Sequence, residues 1–211
     1  MKSIIILGAN GHGKVVADIA KKNGYTDIAF LDDKDSLTEC SGYSVQGKCS
    51  CFTEYDCDMI VAIGNANVRQ RFQELLESAG KTVLTLIHPN AVVDESVEIG
   101  CGSVVMAGAV INAGSKIGKG CIINTCASVD HDCILEDFVH VSVDAHLAGT
   151  VSVGRRTWIG IGTVVSNNLK ITGDCMIGAG AVVVKDINVP GTYIGVPAMK
   201  KDCQKIRGGG G

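Results

Sequence analysis

Aromatic residues are scarce: 211 residues include one tryptophan, four tyrosines and four phenylalanines. Whatever core the chain builds must be mainly aliphatic. A basic excess is also missing. Lysine and arginine total 19 against 22 acidic residues, the net charge is −3, and no basic stripe points to nucleic acid. No apolar run is long enough to span a membrane, so no membrane insertion is expected. Met1 to Gly8 looks superficially like a short secretion signal. It runs straight into a glycine turn and a helix with no small-residue cleavage pattern, so a buried first strand in a cytoplasmic protein is expected. Ten cysteines are present, but in a cytosolic chain disulfides are not expected. Cys49, Cys51 and Cys57 form the only local cluster. Its spacing matches no zinc signature and no histidine lies nearby, so no metal is expected.

What is abundant is a period of six. An aliphatic residue recurs at every sixth position sixteen times, from Val93, Ile99, Val105 and Ile111 through to Ile171, Ile177 and Val183. Two residues earlier sits a mostly small residue, among them Ala91, Ser103, Ala109, Ser115, Cys121, Ala127, Cys133, Ala145, Thr157, Thr163, Cys175 and Ala181. A helix repeats near 3.6 and a lone strand near two; a repeat of six marks a parallel β-helix built from short strands and corners. With three hexads to a coil, residues eighteen apart stack on neighbouring strands about 4.8 Å apart. Sixteen hexads give a little over five coils. One large residue per face also accounts for the scarcity of aromatics. Lys185 to Lys201, with Pro190-Gly191 and Val196-Pro197-Ala198, breaks the repeat and is expected to fold back as a cap. Gly208–Gly211 is expected to be disordered.

The first 86 residues alternate instead between strand and helix patterns. Ser3–Leu7, Ile28–Leu31, Met59–Ile63 and Val83–Ile87 read as strands. Lys14 to Asn23 and Val68 to Ser78 read as helices, closed by Gly24 and Gly80. This is a small parallel sheet with Rossmann-like winding, over residues 1–88, before the repeat domain of 89–200 and a tail of 201–211. Ligands of such sheets sit at the carboxyl ends of the strands. Three of those ends carry Gly8-Ala9-Asn10-Gly11-His12-Gly13, Asp32-Asp33 and Gly64-Asn65. The glycines allow close approach of a diphosphate to amides at a helix start, and a carboxylate after the second strand suits a ribose or base. The spacing G-x-x-G-x-G departs from the dinucleotide fingerprint and argues against an NAD oxidoreductase. The plainer reading is a tight turn with solvated aspartates.

The richest polar cluster in the repeat is Asn124-Thr125 and Asp130-His131-Asp132, followed by His140 and His146. His131 falls near a corner. A histidine beside a carboxylate is held in one tautomer and made more basic, as a general base requires; an exposed polar corner is the alternative. Eighteen residues after His131 comes Gly149, whose amide would lie open beside the base, where a reacting carbonyl could place its oxygen. Eighteen after His140 comes Trp158. No activated serine is evident, which favours direct transfer over a covalent enzyme intermediate. His88 and His12 are at least as readily structural.

On these residues the chain resembles the NeuD/PglD family of sugar acetyltransferases, which are left-handed parallel β-helix (hexapeptide-repeat) proteins with an α/β N-terminal domain. The resemblance runs from Ile4-Ile5-Ile6-Leu7-Gly8-Ala9-Asn10-Gly11-His12-Gly13 to Gly195-Val196-Pro197-Ala198. Its most specific part is Asn124-Thr125, Val129-Asp130-His131-Asp132-Cys133, His140-Val141-Ser142-Val143 and Leu147-Ala148-Gly149. It implies acetyl-CoA-dependent N-acetylation of a UDP-4-amino-sugar type of nucleotide-linked amino-sugar, with His131 as catalytic base and Asp132 raising its basicity. It also implies nucleotide-sugar contacts from Asn10, Gly11, His12, Asp32, Asp33 and Gly64, and acetyl-CoA contacts from His140, Ile161, Ala179 and the adjoining Gly180. Position 179 is often glycine in the family. A homotrimer with active sites between subunits is implied as well. O-acetylation of sialic acid or another sugar hydroxyl by the same residues is an alternative, and a catalytically inactive nucleotide-sugar-binding scaffold is another.

Overall fold

The computed structural model describes residues 2–201; the expectation for Gly208–Gly211 lies outside them. The first strand, Ser3–Leu7, is flanked by Asp27–Leu31 and Asp58–Val61, both parallel to it. Central position and burial on both faces explain its unbroken run of isoleucine and leucine. Helix α1 covers Gly11–Lys22 and helix α2 covers Ala66–Ser78. Each starts earlier than its apolar spacing suggests, because an asparagine caps it. Asn10 Oδ1 accepts the His12 and Gly13 amides, and Asn65 Oδ1 accepts the Val68 amide. Gly13 is a glycine for want of space: a Cβ there would lie 2.1 Å from the Gly8 carbonyl oxygen.

The period of six becomes a parallel β-solenoid of two-residue strands on three faces. Strands eighteen residues apart pair in parallel, as Ile111 does with Val129 and Val129 with Leu147. The three faces are named here after their first periodic aliphatics, Val93, Ile99 and Val105. From Val105 to Val183 every sixth aliphatic is buried, forming one continuous core with the small residues two positions earlier. Each such side chain contributes about 1.5–3 kcal/mol relative to exposure. Ser103, Ser115, Thr157 and Thr163 are buried at the small position because each hydroxyl donates to a carbonyl of the next turn.

The column extends further at both ends than the periodicity indicates. The expected strand Val83–Ile87 divides. Val83 bridges Met59 of the first sheet, whereas Leu86–Ile87 pairs with Val104–Val105 and opens the column. Ile87 stands six before Val93 and is in register. At the other end Ile187 bridges Ile171 and Tyr193 pairs with Ile177, a spacing of sixteen. The repeat therefore closes with a shortened turn, giving about six turns in all. Among the described residues of this end, Met199–Lys200 turns back, antiparallel to Gly191–Ile194.

The first domain sits on the Val105 face. Val104, Met106 and Ile122 point outward from that face, yet all are buried, in one cluster with Val16, Ala17, Ile19 and Ala20 of α1. On the Ile99 face the corresponding outward residues include the exposed Glu98, Lys116 and Lys170. The residue preceding each periodic aliphatic therefore carries a second message, repeating every eighteen, about which face is covered.

Candidate active site

His131 and Asp132 form the turn between the Val93 and Ile99 faces. Asp132 adopts φ 58, in the left-handed region that an aspartate tolerates better than most residues. In that turn its Oδ2 lies 2.9 Å from His131 Nδ1. Asp130 Oδ1 accepts the His131 amide and Asn112 Nδ2, both at 2.8 Å. The hydrogen bond to Asp132, and then the charge of Asp130, raise the His131 pKa above the ordinary histidine value of 6.5. His131 and Asp132 side chains are 58% and 63% exposed, so the pair faces outward.

Gly149 lies where stacking by eighteen places it, with the Thr150 amide donating to the His131 carbonyl at 2.9 Å. The glycine also serves the imidazole directly. A Cβ at position 149 would fall 2.5 Å from His131 Nε2 and 2.6 Å from Cε1, so the ring rests on bare backbone. Gly114, eighteen before Asp132, has the matching role: a Cβ there would lie 2.6 Å from Asp132 Oδ1. Below the turn, the buried Ser115 hydroxyl donates to the Asp130 carbonyl and accepts the Cys133 amide. The same rule of eighteen, read backward from Asp132, identifies Gly114.

Ile161, Ala179 and Gly180 occupy a different edge, between the Val105 and Val93 faces. They are exposed, and the Gly180 amide donates to the Ile161 carbonyl at 2.8 Å. His140 lies on the Val105 face itself. It stacks on Trp158 with ring centroids 4.5 Å apart, and its Nε2 meets Asn124 Nδ2 at 3.1 Å. Burial, with help from Arg69 and His12, pushes the His140 pKa down to about 3. One column thus keeps its basic histidine and its Ile161–Ala179 edge on separate corners.

The residues expected to meet a nucleotide sugar divide three ways. Asn10, Gly11 and Asp32 line a cavity of about 490 Å³ with Lys14 and Lys34. Gly64 lines another, of about 510 Å³, together with His140, Arg156, Trp158 and Met176 between the first domain and the column. His12 is half-buried with its Nε2 shielded from solvent, and desolvation together with the charge of Arg69 lowers its pKa to about 4. The two aspartates also support the loops around them. Asp32 accepts the Ala9 amide at 2.7 Å and the Lys34 amide at 2.9 Å, and Asp33 accepts the Cys49 amide at 3.0 Å. Cys49 itself is buried, with its Sγ against the Leu31 carbonyl.

Comparison with known proteins places this arrangement. Residues 3–76 match the PglD N-terminal domain family. UDP-N-acetylbacillosamine N-acetyltransferase of Bacillus subtilis (strain 168) is 38% identical over 113 residues, 51% of this chain; the match spans about half of that relative's length, 52%. GDP-perosamine N-acetyltransferase of Escherichia coli O157:H7 is 30% identical over 83% of this chain and 82% of its own length. The acetyltransferase domain of PglB from Neisseria gonorrhoeae FA1090, solved with acetyl coenzyme A, superposes with a TM-score of 0.92 at 41% identity, covering 95% of this chain and 99% of that one. The chain belongs to the PglD-type family of sugar N-acetyltransferases. PerB of Caulobacter crescentus, solved with CoA and GDP-perosamine, shares this family's architecture, with a TM-score of 0.90 at 38% identity over 96% of this chain and 98% of that one.

For a PglD-type chain, one feature of the site escapes the hexad pattern: Arg69, fully buried in α2, whose partners are all backbone carbonyls, two of them more than fifty residues away in the column. A contact of Ser128 Oγ with His146 Nδ1 at 2.8 Å on the Val93 face is one that stacking by eighteen does predict.

Proposed function

We propose that this protein transfers the acetyl group of acetyl-CoA directly to the amino group of a nucleotide-linked amino sugar. The observation that carries the reading is the His131–Asp132 pair with its ring seated on Gly149. Nδ1–H donated to Asp132 leaves the lone pair on Nε2, the atom that takes a proton from the acceptor amine. As it does so, the amine nitrogen attacks the thioester carbonyl. The C–S bond then breaks, and the departing thiolate takes up that proton. The Gly149 amide has no backbone acceptor in the ladder among the described residues, and it steadies the developing oxyanion.

Relatives of the same family support the choice of reactants: named enzymes act on UDP- and GDP-linked amino sugars, and solved neighbours hold acetyl-CoA or CoA with GDP-perosamine. Within this chain, the exposed Ile161–Ala179–Gly180 edge fits the pantetheine arm of acetyl-CoA. It offers an apolar side chain and, at Gly180, a backbone with open space where a Cβ would stand. Asn10, Gly11, His12, Asp32, Asp33 and Gly64 are assigned to the nucleotide sugar, and His140 to the cofactor side.

The separation of His131 from the Ile161–Ala179 edge supports a homotrimer. A ligand touching both edges would lie between two columns, with the base from one subunit and the cofactor edge from its neighbour. The residues just before the periodic aliphatics of the Val93 face favour such packing, since Val92, Val110, Ser128, His146, Val164 and Val182 include no lysine or carboxylate. Acetyl-CoA chemistry and nine unpaired cysteines among the described residues fit the cytoplasm. No helix among those residues is long and apolar enough to cross a membrane.

The test is release of free thiol from acetyl-CoA in the presence of UDP-4-amino-sugars, GDP- and dTDP-amino-sugars, and free sialic acid. Turnover with a nucleotide-linked amine is expected. Activity confined to free sialic acid would convert the enzyme to an O-acetyltransferase, and silence on the whole panel would make it a binding scaffold.

A further inference from the structure

The first domain is joined to the column by more than apolar contact. Helix α2 runs along the corner between the Ile99 and Val105 faces and engages one turn after another. Glu77 accepts Lys119 Nζ at 3.0 Å, Gln73 Nε2 donates to the Cys101 carbonyl at 3.0 Å, and Gln70 Oε1 accepts Arg156 Nη1 at 3.1 Å. Corner glycines let the helix down: a Cβ at Gly102 or Gly120 would fall 2.2 or 2.8 Å from Gln73 Oε1.

Arg69 lies in the middle of this seam, 1% exposed. It has no carboxylate partner. Nε donates to the Gly120 carbonyl at 2.7 Å and Nη2 to the Phe138 carbonyl at 2.8 Å, while Nη1 donates to the carbonyls of Ile63 and Gly64, both at 2.8 Å. Two of these acceptors are column corners, one of them two residues before His140. The other two form the loop that ends the third strand of the first domain. A planar guanidinium meets four acceptors in fixed directions; a lysine ammonium has three donors radiating from one atom and cannot span them. A buried charge without a counter-ion is costly, and packing alone does not require one at this position.

We propose that Arg69 is a positioning residue for acetyl transfer, fixing the Gly64 end of the acceptor site at a set height on the column. The inference rests on the acceptor reading above. The acceptor is anchored by the first domain and its amine must reach a base carried by the column, so a shift of the seam by about 1 Å is enough to lower turnover about a hundredfold.

The test compares Arg69→Met and Arg69→Lys in the full chain. With a nucleotide-linked amino sugar, kcat is expected to fall about a hundredfold in Arg69→Met and by a lesser factor in Arg69→Lys. Kd for a nucleoside diphosphate and for CoA should stay within about threefold, since each half of the site is intact. A crystal structure of Arg69→Met should place Gly64 away from its present height on the column. A folded Arg69→Met with unchanged kcat and Gly64 in place overturns the proposal. So does joint loss of both affinities with kcat, or failure of both variants to fold, either of which makes Arg69 simply structural. Silence of the wild-type enzyme toward every nucleotide-linked amine overturns the acceptor reading instead, and the position of Gly64 still decides the clamp.

Discussion

Two regions of this molecule use the same side chain in opposite ways. At the corner between the Val93 and Ile99 faces, His131 is exposed, paired with Asp132, and raised in pKa. In the seam between the domains, His140 is buried and His12 half-buried with its Nε2 shielded from solvent, and their pKa values are depressed to about 3 and about 4. The first environment keeps an imidazole ready to hold a proton. The second favours the neutral form of both imidazoles, and His140 there stacks on Trp158 and meets Asn124. A histidine on an outward strand position is therefore not a base by virtue of its type; the carboxylate beside it and access to solvent decide.

The largest effect that would sharpen this contrast is on turnover at the exposed corner. His131→Ala should lower kcat by about 10²–10⁴ with the fold unchanged by circular dichroism; near-normal turnover would remove His131 from the base role. Next comes the seat of the ring. Gly149→Ala puts a methyl where the imidazole lies and should lower kcat by about a hundredfold while leaving Kd for CoA alone. A normal rate with alanine at 149 would break the link between the glycine and the base. Asp132→Asn should have a smaller effect, about tenfold at neutral pH. It should also move the acid limb of kcat/KM to lower pH, since the proposed base role makes the neutral imidazole the active form and its pKa is raised chiefly by Asp132. An unmoved limb would show that Asp132 does not set His131's basicity.

The smallest effect belongs to the seam and is one of stability. A buried imidazole with a depressed folded pKa is neutral when the chain is folded, whereas the unfolded chain takes up a proton near the ordinary value of 6.5. Below that value the unfolded state binds more protons, so stability falls as pH drops from 6.5 toward 4, and on toward 3 for His140. Thermal unfolding should show Tm level above pH 6.5 and declining below it. His12→Asn should flatten part of that decline by roughly a few degrees, and an identical slope in the variant would count against a neutral His12 in the folded chain.

The column was almost wholly legible in sequence because its pairing is a fixed offset. Once three hexads make a turn, Val129 must pair with Ile111 and Leu147, and His131 must neighbour Gly149. The same arithmetic reaches Gly114 under Asp132 and Ser128 beside His146. It fell short at the ends, where Leu86–Ile87 joins the column while its neighbour Val83 stays with the first sheet, and where the last turn closes in sixteen residues. Helix starts were misplaced for a local reason: the asparagine caps lie outside the apolar periodicity that marks the helix body.

The sequence by itself determined the solenoid, its three faces, and the corner that carries His131 and Asp132, because a repeat ties every residue to partners at known separations. It also contained, in the residue before each periodic aliphatic, the statement that the Val105 face is covered. Only the tertiary structure decided which element covers it and at what height. Arg69 meets Gly120 and Phe138 at separations of 51 and 69 residues that follow no period. Such contacts arise when two independently patterned surfaces are pressed together, so their register is written in shape and in hydrogen bonds to backbone carbonyls, which every residue type carries alike.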